Sequence, residues 1–167
     1  MIVVADTSPI NYLVQIEREG LLSRLYSRLF IPDAVLGELC DPRAPDKVRR
    51  WAQALPEWVS VEQPTKAYSH PSITLDMGER FALQLALDLR ADRILIDERK
   101  GSLAAQELGF LVTGTLGVLR DAHLTSLGDA RKAYEALRAK TNFRVGEAVE
   151  AMFLDSLTRR FLRFAAE

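Results

Sequence analysis

The sequence predicts an α/β fold of the three-layer α/β/α kind, with a mainly parallel sheet of four to five strands. Two observations carry this. Short apolar runs alternate with longer stretches of helical periodicity, and that alternation packs as parallel strands covered by helices on both faces. The runs at residues 2–5 and 93–96 are also rich in β-branched residues, as buried strands are.

The individual elements follow in order. Residues 2–5 read as a central strand. Residues 9–17 and 21–27 carry short helical patterns, and residues 29–31 make a strand stopped by Pro32. Asp33 is placed to cap a helix running through Glu38 and Leu39, which Asp41-Pro42 ends. Residues 46–55 set Val48, Trp51, Ala52 and Leu55 on one helical face, and residues 58–61 alternate like a strand. The polar, proline-containing residues 64–74 read as a loop before the strongest helix of the chain, residues 76–89. A strand at 93–96, a helix at 101–108 closed by a left-handed Gly109, and a strand at 110–112 come next. Helices at 115–122, 128–138 and 146–164 complete the chain, the last with Val149, Met152, Phe153, Leu157, Phe161 and Phe164 near one face.

A length of 167 residues fits one domain, read as residues 1–167 with 128–167 a helical extension. The chain is 48% hydrophobic and 27% charged, a globular composition rather than a disordered one. No apolar run is long enough for a bilayer, and MIVVADTSP lacks the basic and long apolar regions of a secretory signal. Cys40 stands alone, which excludes an internal disulfide or a cysteine-based zinc cluster. These features point to the cytoplasm. The formal net charge is −1, so binding to a polyanion would require a local basic patch.

Acids carry the chemical signal. Two buried strand candidates end in an aspartate, Asp6 and Asp97, and sites in open α/β sheets form at the carboxyl ends of strands. Glu79 falls in line with Leu75, Ala82, Leu83, Ala86 and Leu89 on the helix at 76–89. A carboxylate on an apolar stripe must be paired, protonated or metal-bound. Its spacing equally suits a first-turn acid that stabilises the helix dipole, beside Asp76 as the cap. Glu38, between Leu36 and Leu39, reads from spacing alone as an ordinary solvated glutamate.

Taken together, these segments resemble a PIN domain. VVADTSPINYLVQI looks like the family's opening motif, and IPDAVLGEL resembles its second. LDMGERFALQLALDLRADRILIDERKG resembles the second half of the family's site, and FLVTGTLGVLRDA the segment that follows in one branch. The resemblance covers residues 1–122, in order. It implies a parallel α/β/α sandwich, an acidic pocket binding Mg²⁺ or Mn²⁺, and cleavage of RNA phosphodiester bonds. Carried over, the metal-binding and catalytic acids are Asp6, Glu38, Glu79 and Asp97, with Thr7 and Ser8 orienting Asp6 or a water. The third acid is Glu where the family commonly has Asp, and Asp97 lies in IDERKG, which makes Glu98 a candidate to share its role. Many small bacterial members are VapC-type toxins, often dimeric and neutralised by a cognate antitoxin. The resemblance therefore implies an RNA substrate, an antitoxin partner and a homodimer, with no membrane.

Hard oxygen ligands suit Mg²⁺, and no cysteine or histidine is required. His70 and His123 read as bystanders. Arg99 and Lys100 are candidates to meet an RNA backbone, or a solvated charge pair; Arg43, Lys47, Arg49 and Arg50 read as a solvated face. Three other classes compete. A haloacid dehalogenase-type phosphatase needs a second aspartate two positions after the first, where this chain has Ser8. A receiver-like module wants paired acids after its first strand and a lysine after a late one, but Asp6 has no acidic neighbour and Thr113 follows Val112. A PIN fold that only binds a partner or RNA would not need four acids. No Walker A or GxGxxG motif is present.

Overall fold

A computed structural model of the chain describes the backbone of residues 1–164 and the side chains of residues 1–158. Five strands, β1 (Val3–Ala5), β2 (Leu29–Pro32), β3 (Val59–Glu62), β4 (Arg93–Leu95) and β5 (Leu111–Thr113), form one sheet in the order β3-β2-β1-β4-β5. Every pairing is parallel. The helices are α1 (Thr7–Gln15), α2 (Gly20–Tyr26), α3 (Asp33–Leu39), α4 (Asp46–Gln53), α5 (Met77–Asp88), α6 (Arg99–Glu107), α7 (Thr115–Leu124), α8 (Ala130–Lys140) and α9 (Glu147–Phe164).

Strand alternation divides the interior into two cores. Val3, Ala5 and Leu95 face a cluster with residues of α1, α2, α7, α8 and α9, including Leu13, Leu22, Leu119, Leu137 and Phe153. Val4, Ile94 and Ile96 face the opposite cluster, with Leu83 and Leu85 of α5 and Ala104 and Ala105 of α6. Each fully buried Leu or Ile contributes about 1.5–3 kcal/mol, so these two faces hold the three layers together. The chain leaves β1 toward β2 and β3, then crosses to β4 and β5. The topology therefore reverses between β1 and β4, where open α/β sheets form their binding crevice.

Several boundaries differ from the sequence expectation. α1 begins at Thr7, not near Pro9, with Asp6 in extended backbone as its N-cap. Pro9 is tolerated because first-turn N–H groups lack helical partners anyway. Asp33 is the first residue of α3 rather than its cap, which is Pro32. α6 starts at Arg99, so Arg99 and Lys100 sit in a helical first turn rather than a loop. Gly109 does adopt the left-handed conformation, at φ 88°.

The apolar stripe of α9 splits. Phe153 and Leu157 are buried, the former edge-on to Tyr134, whereas Val149 and Met152 are 49% and 73% exposed. The side chains of Phe161 and Phe164 lie outside the described residues. Val48 is wholly buried in the first of the two cores. Arg43, Lys47 and Arg49 pair with Asp41, Glu17 and Asp46, as a solvated face would.

Residues 63–76 form no strand or helix, but they are fastened. His70 Nδ1 accepts the N–H groups of Ser72 and Ile73 at 3.1 and 3.0 Å, and Nε2 lies 2.6 Å from Glu107. Among the described residues no helix is long and apolar enough to cross a membrane.

Candidate active site

Asp6 leaves β1 one residue after Ala5, and its N–H donates to the Leu95 carbonyl of β4 at 2.9 Å. The alternation that buries Val4 against α5 carries the Asp6 side chain to the same layer. There it meets Gly78, in the first turn of α5. A Cβ on Gly78 would stand 2.9 Å from Asp6 Oδ1 and 2.8 and 2.9 Å from the two Glu38 carboxylate oxygens. Glycine thus leaves room for two carboxylates to converge. Glu38 comes from α3, and the Thr7 hydroxyl donates to it. The Thr7 N–H serves Asp6, so this residue positions both acids.

Asp6 is only 4% exposed. Burial, together with the charges of Asp76, Glu38 and Glu79 and against the Thr7 N–H, pushes its carboxyl up to about 8. Asp76 belongs to this neighbourhood, although the sequence reading makes it a cap alone. The signal was the pair of acids in LDMGE.

Glu79 is also buried, and it closes a capping box. The Glu79 N–H donates to Asp76 Oδ1 at 2.8 Å, and Glu79 Oε2 accepts the Asp76 N–H at 2.9 Å. It also accepts the Gly101 N–H, in the first turn of α6. Burial raises its carboxyl, partly offset by these backbone donors. Both sequence readings of Glu79 therefore describe real features: it stabilises a helix start, and it does so from inside the apolar stripe.

Asp97 takes the other face. It lies two residues past Leu95, which pairs with Ala5, so it is one position out of step with Asp6. Its Oδ1 and Oδ2 accept the N–H and hydroxyl of Thr115 at α7, each at 2.7 Å. Burial raises this carboxyl, and Thr115 pulls it back. Thr115 had no sequence signal beyond following a strand. Glu98 is the exposed N-cap of α6, and its charge raises both Glu79 and Asp97. Glu98 thereby stands electrostatically between the two halves of the rim. Ser8 is half-buried and lines a neighbouring cleft.

Among the described residues no group of three His, Cys, Asp or Glu side chains is close enough to hold a metal ion. Asp6 and Glu38 form the pair that does converge, while Glu79 and Asp97 are tied to backbone and hydroxyl donors on either side. No lysine or arginine forms an ion pair with any of the four among the described residues. Two converging carboxylates without a cationic partner fit Mg²⁺, which commonly takes one or two protein carboxylates and keeps several waters.

An acidic rim at the switch point of a parallel sheet, without an ion-paired lysine or arginine among the described residues, defines the class: an α/β protein whose candidate site is made of strand-end and helix-borne carboxylates. The chain belongs to the PIN domain family, whose model matches residues 2–159. No curated protein and no solved structure matches it. PIN domains are typically magnesium-dependent nucleases.

Proposed function

We propose that this protein is a Mg²⁺- or Mn²⁺-dependent endoribonuclease and the toxin of a type II toxin–antitoxin pair, acting in the cytoplasm. The observation that carries the reading is Asp6, a buried carboxylate facing Glu38 across Gly78 with no cation beside it. A buried carboxylate must be neutralised, by a proton or by a metal. A bound divalent ion would supply charge neutralisation at the reacting phosphate and acidify a water. Asp6 and Glu38 would hold it. The Thr7 hydroxyl keeps Glu38 turned toward Asp6. Glu79 and Asp97 line the two sides of the rim, and Glu98 adds negative charge beside both, which attracts a divalent cation. The α5 and α6 first turns, tied through Glu79, keep the floor of the site rigid.

Cleavage of single-stranded RNA in Mg²⁺ or Mn²⁺ tests this. Asp6→Asn is expected to lower the rate by orders of magnitude, since a metal supplies several kcal/mol at the phosphate. Equal cleavage by wild type and variant would sink the enzyme reading. Growth arrest on induced expression, relieved by Asp6→Asn, tests the toxin role. One observation favours a second reading, a PIN fold that binds RNA or a partner with little nuclease activity: the oxygens of Glu79 and Asp97 already have protein donors. Wild-type RNA binding without cleavage in either metal would support it.

A further inference from the structure

Tyr12 of α1 stands where two clefts meet. One, of about 390 Å³, extends from Asp97 and Glu98 past Gly117 to Arg144. The other, of about 440 Å³, begins at Ser8, beside the Asp6–Thr7 turn, and passes Asn11 and Gln15 to Arg43 and Lys140. Both fall in the range of roughly 300–1,000 Å³ that ligand sites occupy. The second cleft is lined by hydroxyl and amide groups and two cations, without a carboxylate. In a chain of net charge −1, Lys140 and the Asp41-paired Arg43 make this the more basic of the two clefts, the other holding Asp97 and Glu98 with Arg144.

The wall common to both clefts is the connection between α8 and α9. The Tyr12 hydroxyl donates to Asn142 Oδ1 at 3.0 Å, and Phe143 packs edge-on to the Tyr12 ring at 5.1 Å between centroids. Arg144 is held as well: its Nη1 donates to the carbonyls of Phe143 and Thr141, at 2.6 and 3.2 Å, at the end of α8. It forms no ion pair with a carboxylate among the described residues. A guanidinium has five N–H donors, so one nitrogen fastened to the backbone leaves others for an anion. Arg43 is bonded to Asp41 at 3.0 Å, yet its side chain is 91% exposed. Arg99 and Lys100 line neither cleft.

We propose that Tyr12, Lys140, Asn142 and Arg144 form a subsite for the substrate strand, taking unstacked nucleotides of single-stranded RNA as they lead away from the acidic rim. Lys140 and Arg144 meet phosphates, and Tyr12 meets a base. This rests on the ribonuclease reading above. A half-buried aromatic ring among amides suits a base whose face and edge are both free, which a duplex does not offer. Lys140 lines one cleft and Arg144 the other, and the Tyr12 ring lines both. The α8–α9 segment then builds the substrate path, although it contributes no acid.

Anisotropy of a fluorescein-labelled single-stranded RNA oligonucleotide, with the full chain carrying Asp6→Asn, reads this subsite without cleavage. Tyr12→Leu is expected to weaken binding about tenfold, and Tyr12→Phe, which keeps the ring, much less. Lys140→Gln and Arg144→Gln should each lower the slope of log affinity against log salt by about one. Arg144→Gln also removes contacts at the end of α8, so thermal melts accompany each variant. Lys140→Gln tests the same wall from an exposed side chain. Binding of the corresponding RNA duplex should be indifferent to Tyr12→Leu. Unchanged affinity in folded Tyr12→Leu and Lys140→Gln variants would overturn the subsite, and a loss with Arg99→Gln or Lys100→Gln would put the strand along α6; the nuclease reading survives either result if the wild type still cleaves. A chain that neither binds nor cleaves RNA overturns both.

Discussion

Asp6 and Asp97 follow neighbouring strands of one sheet, yet they occupy different chemical settings. Asp6 falls in step with Ile96 and faces α5; Asp97 falls one residue later and faces α7. Asp6 receives the Thr7 N–H and is left with Glu38, Asp76 and Glu79 as negative neighbours. Asp97 has both oxygens filled by Thr115. The same residue type after neighbouring strands can thus be buried among other acids or bonded at both oxygens, and a one-residue offset decides which.

Metal linkage gives the largest expected separation between the two. A divalent ion that binds only the folded state stabilises it by about 2.7 kcal/mol at a hundredfold excess over its Kd. Thermal melts with Mg²⁺ or Mn²⁺ should move upward in the wild type, hardly in Asp6→Asn, and by more than half the wild-type amount in Asp97→Asn. Equal loss in both variants would erase the distinction and make Asp97 a direct ligand.

The pH dependence of the metal-free protein comes next. Asp6 loses its proton near 3.8 in the unfolded chain but only near 8 in the fold. Between those values the folded state holds a proton that the unfolded state has released, so stability falls as pH rises from about 4 to about 8. Asp97 and Glu79, raised by burial, act in the same direction. Asp6→Asn should therefore flatten the curve and stabilise the metal-free fold at pH 8 by several kcal/mol, each tenfold change in proton affinity being worth about 1.4 kcal/mol. Urea unfolding across that range would show it, and a wild-type curve as flat as the variant's would contradict it.

Thr115→Val gives the smallest effect. It removes the hydroxyl from Asp97 and keeps the backbone donor, at a cost of about 1 kcal/mol. The metal shift should survive, because the Asp6–Glu38 pair is untouched. A lost shift would mean that the Thr115 clamp serves the metal after all.

These contrasts also mark what the sequence makes legible. All five strands are readable, four as short apolar runs bounded by polar or proline-containing chain and β3 by its alternation. The strand-end acids are readable for the same reason: Asp6 and Asp97 end such runs abruptly. The layer each acid enters is not, since it depends on pairing Ala5 with Leu95 across the sheet. Glu79 is readable as an anomaly on its stripe, but its donor at Gly101 belongs to the next helix. Thr115 and Asn142 escape notice because their partners, Asp97 and Tyr12, are brought to them only by tertiary packing. The α9 stripe misleads for a related reason. Periodicity marks one apolar face, but α7 and α8 cover only part of it, and Val149 and Met152 are left outside.

The fastening of His70 bears on how the molecule would be cut. Its Nδ1 accepts two backbone N–H groups, so the proton sits on Nε2 and points to Glu107. Upstream, the Thr65 N–H and hydroxyl bond to Asp88 at 2.8 and 3.0 Å. A protease must draw several residues of chain into an extended groove, and long free loops oblige it. Here the irregular stretch is instead pinned to α5 at Thr65 and again at Tyr68, whose N–H and carbonyl bond to Arg80, and to α6 at His70. Lys66 lies between the Thr65 and Tyr68 pins, exposed in side chain but short of slack, so a trypsin-like enzyme reaches it only after one of them lets go.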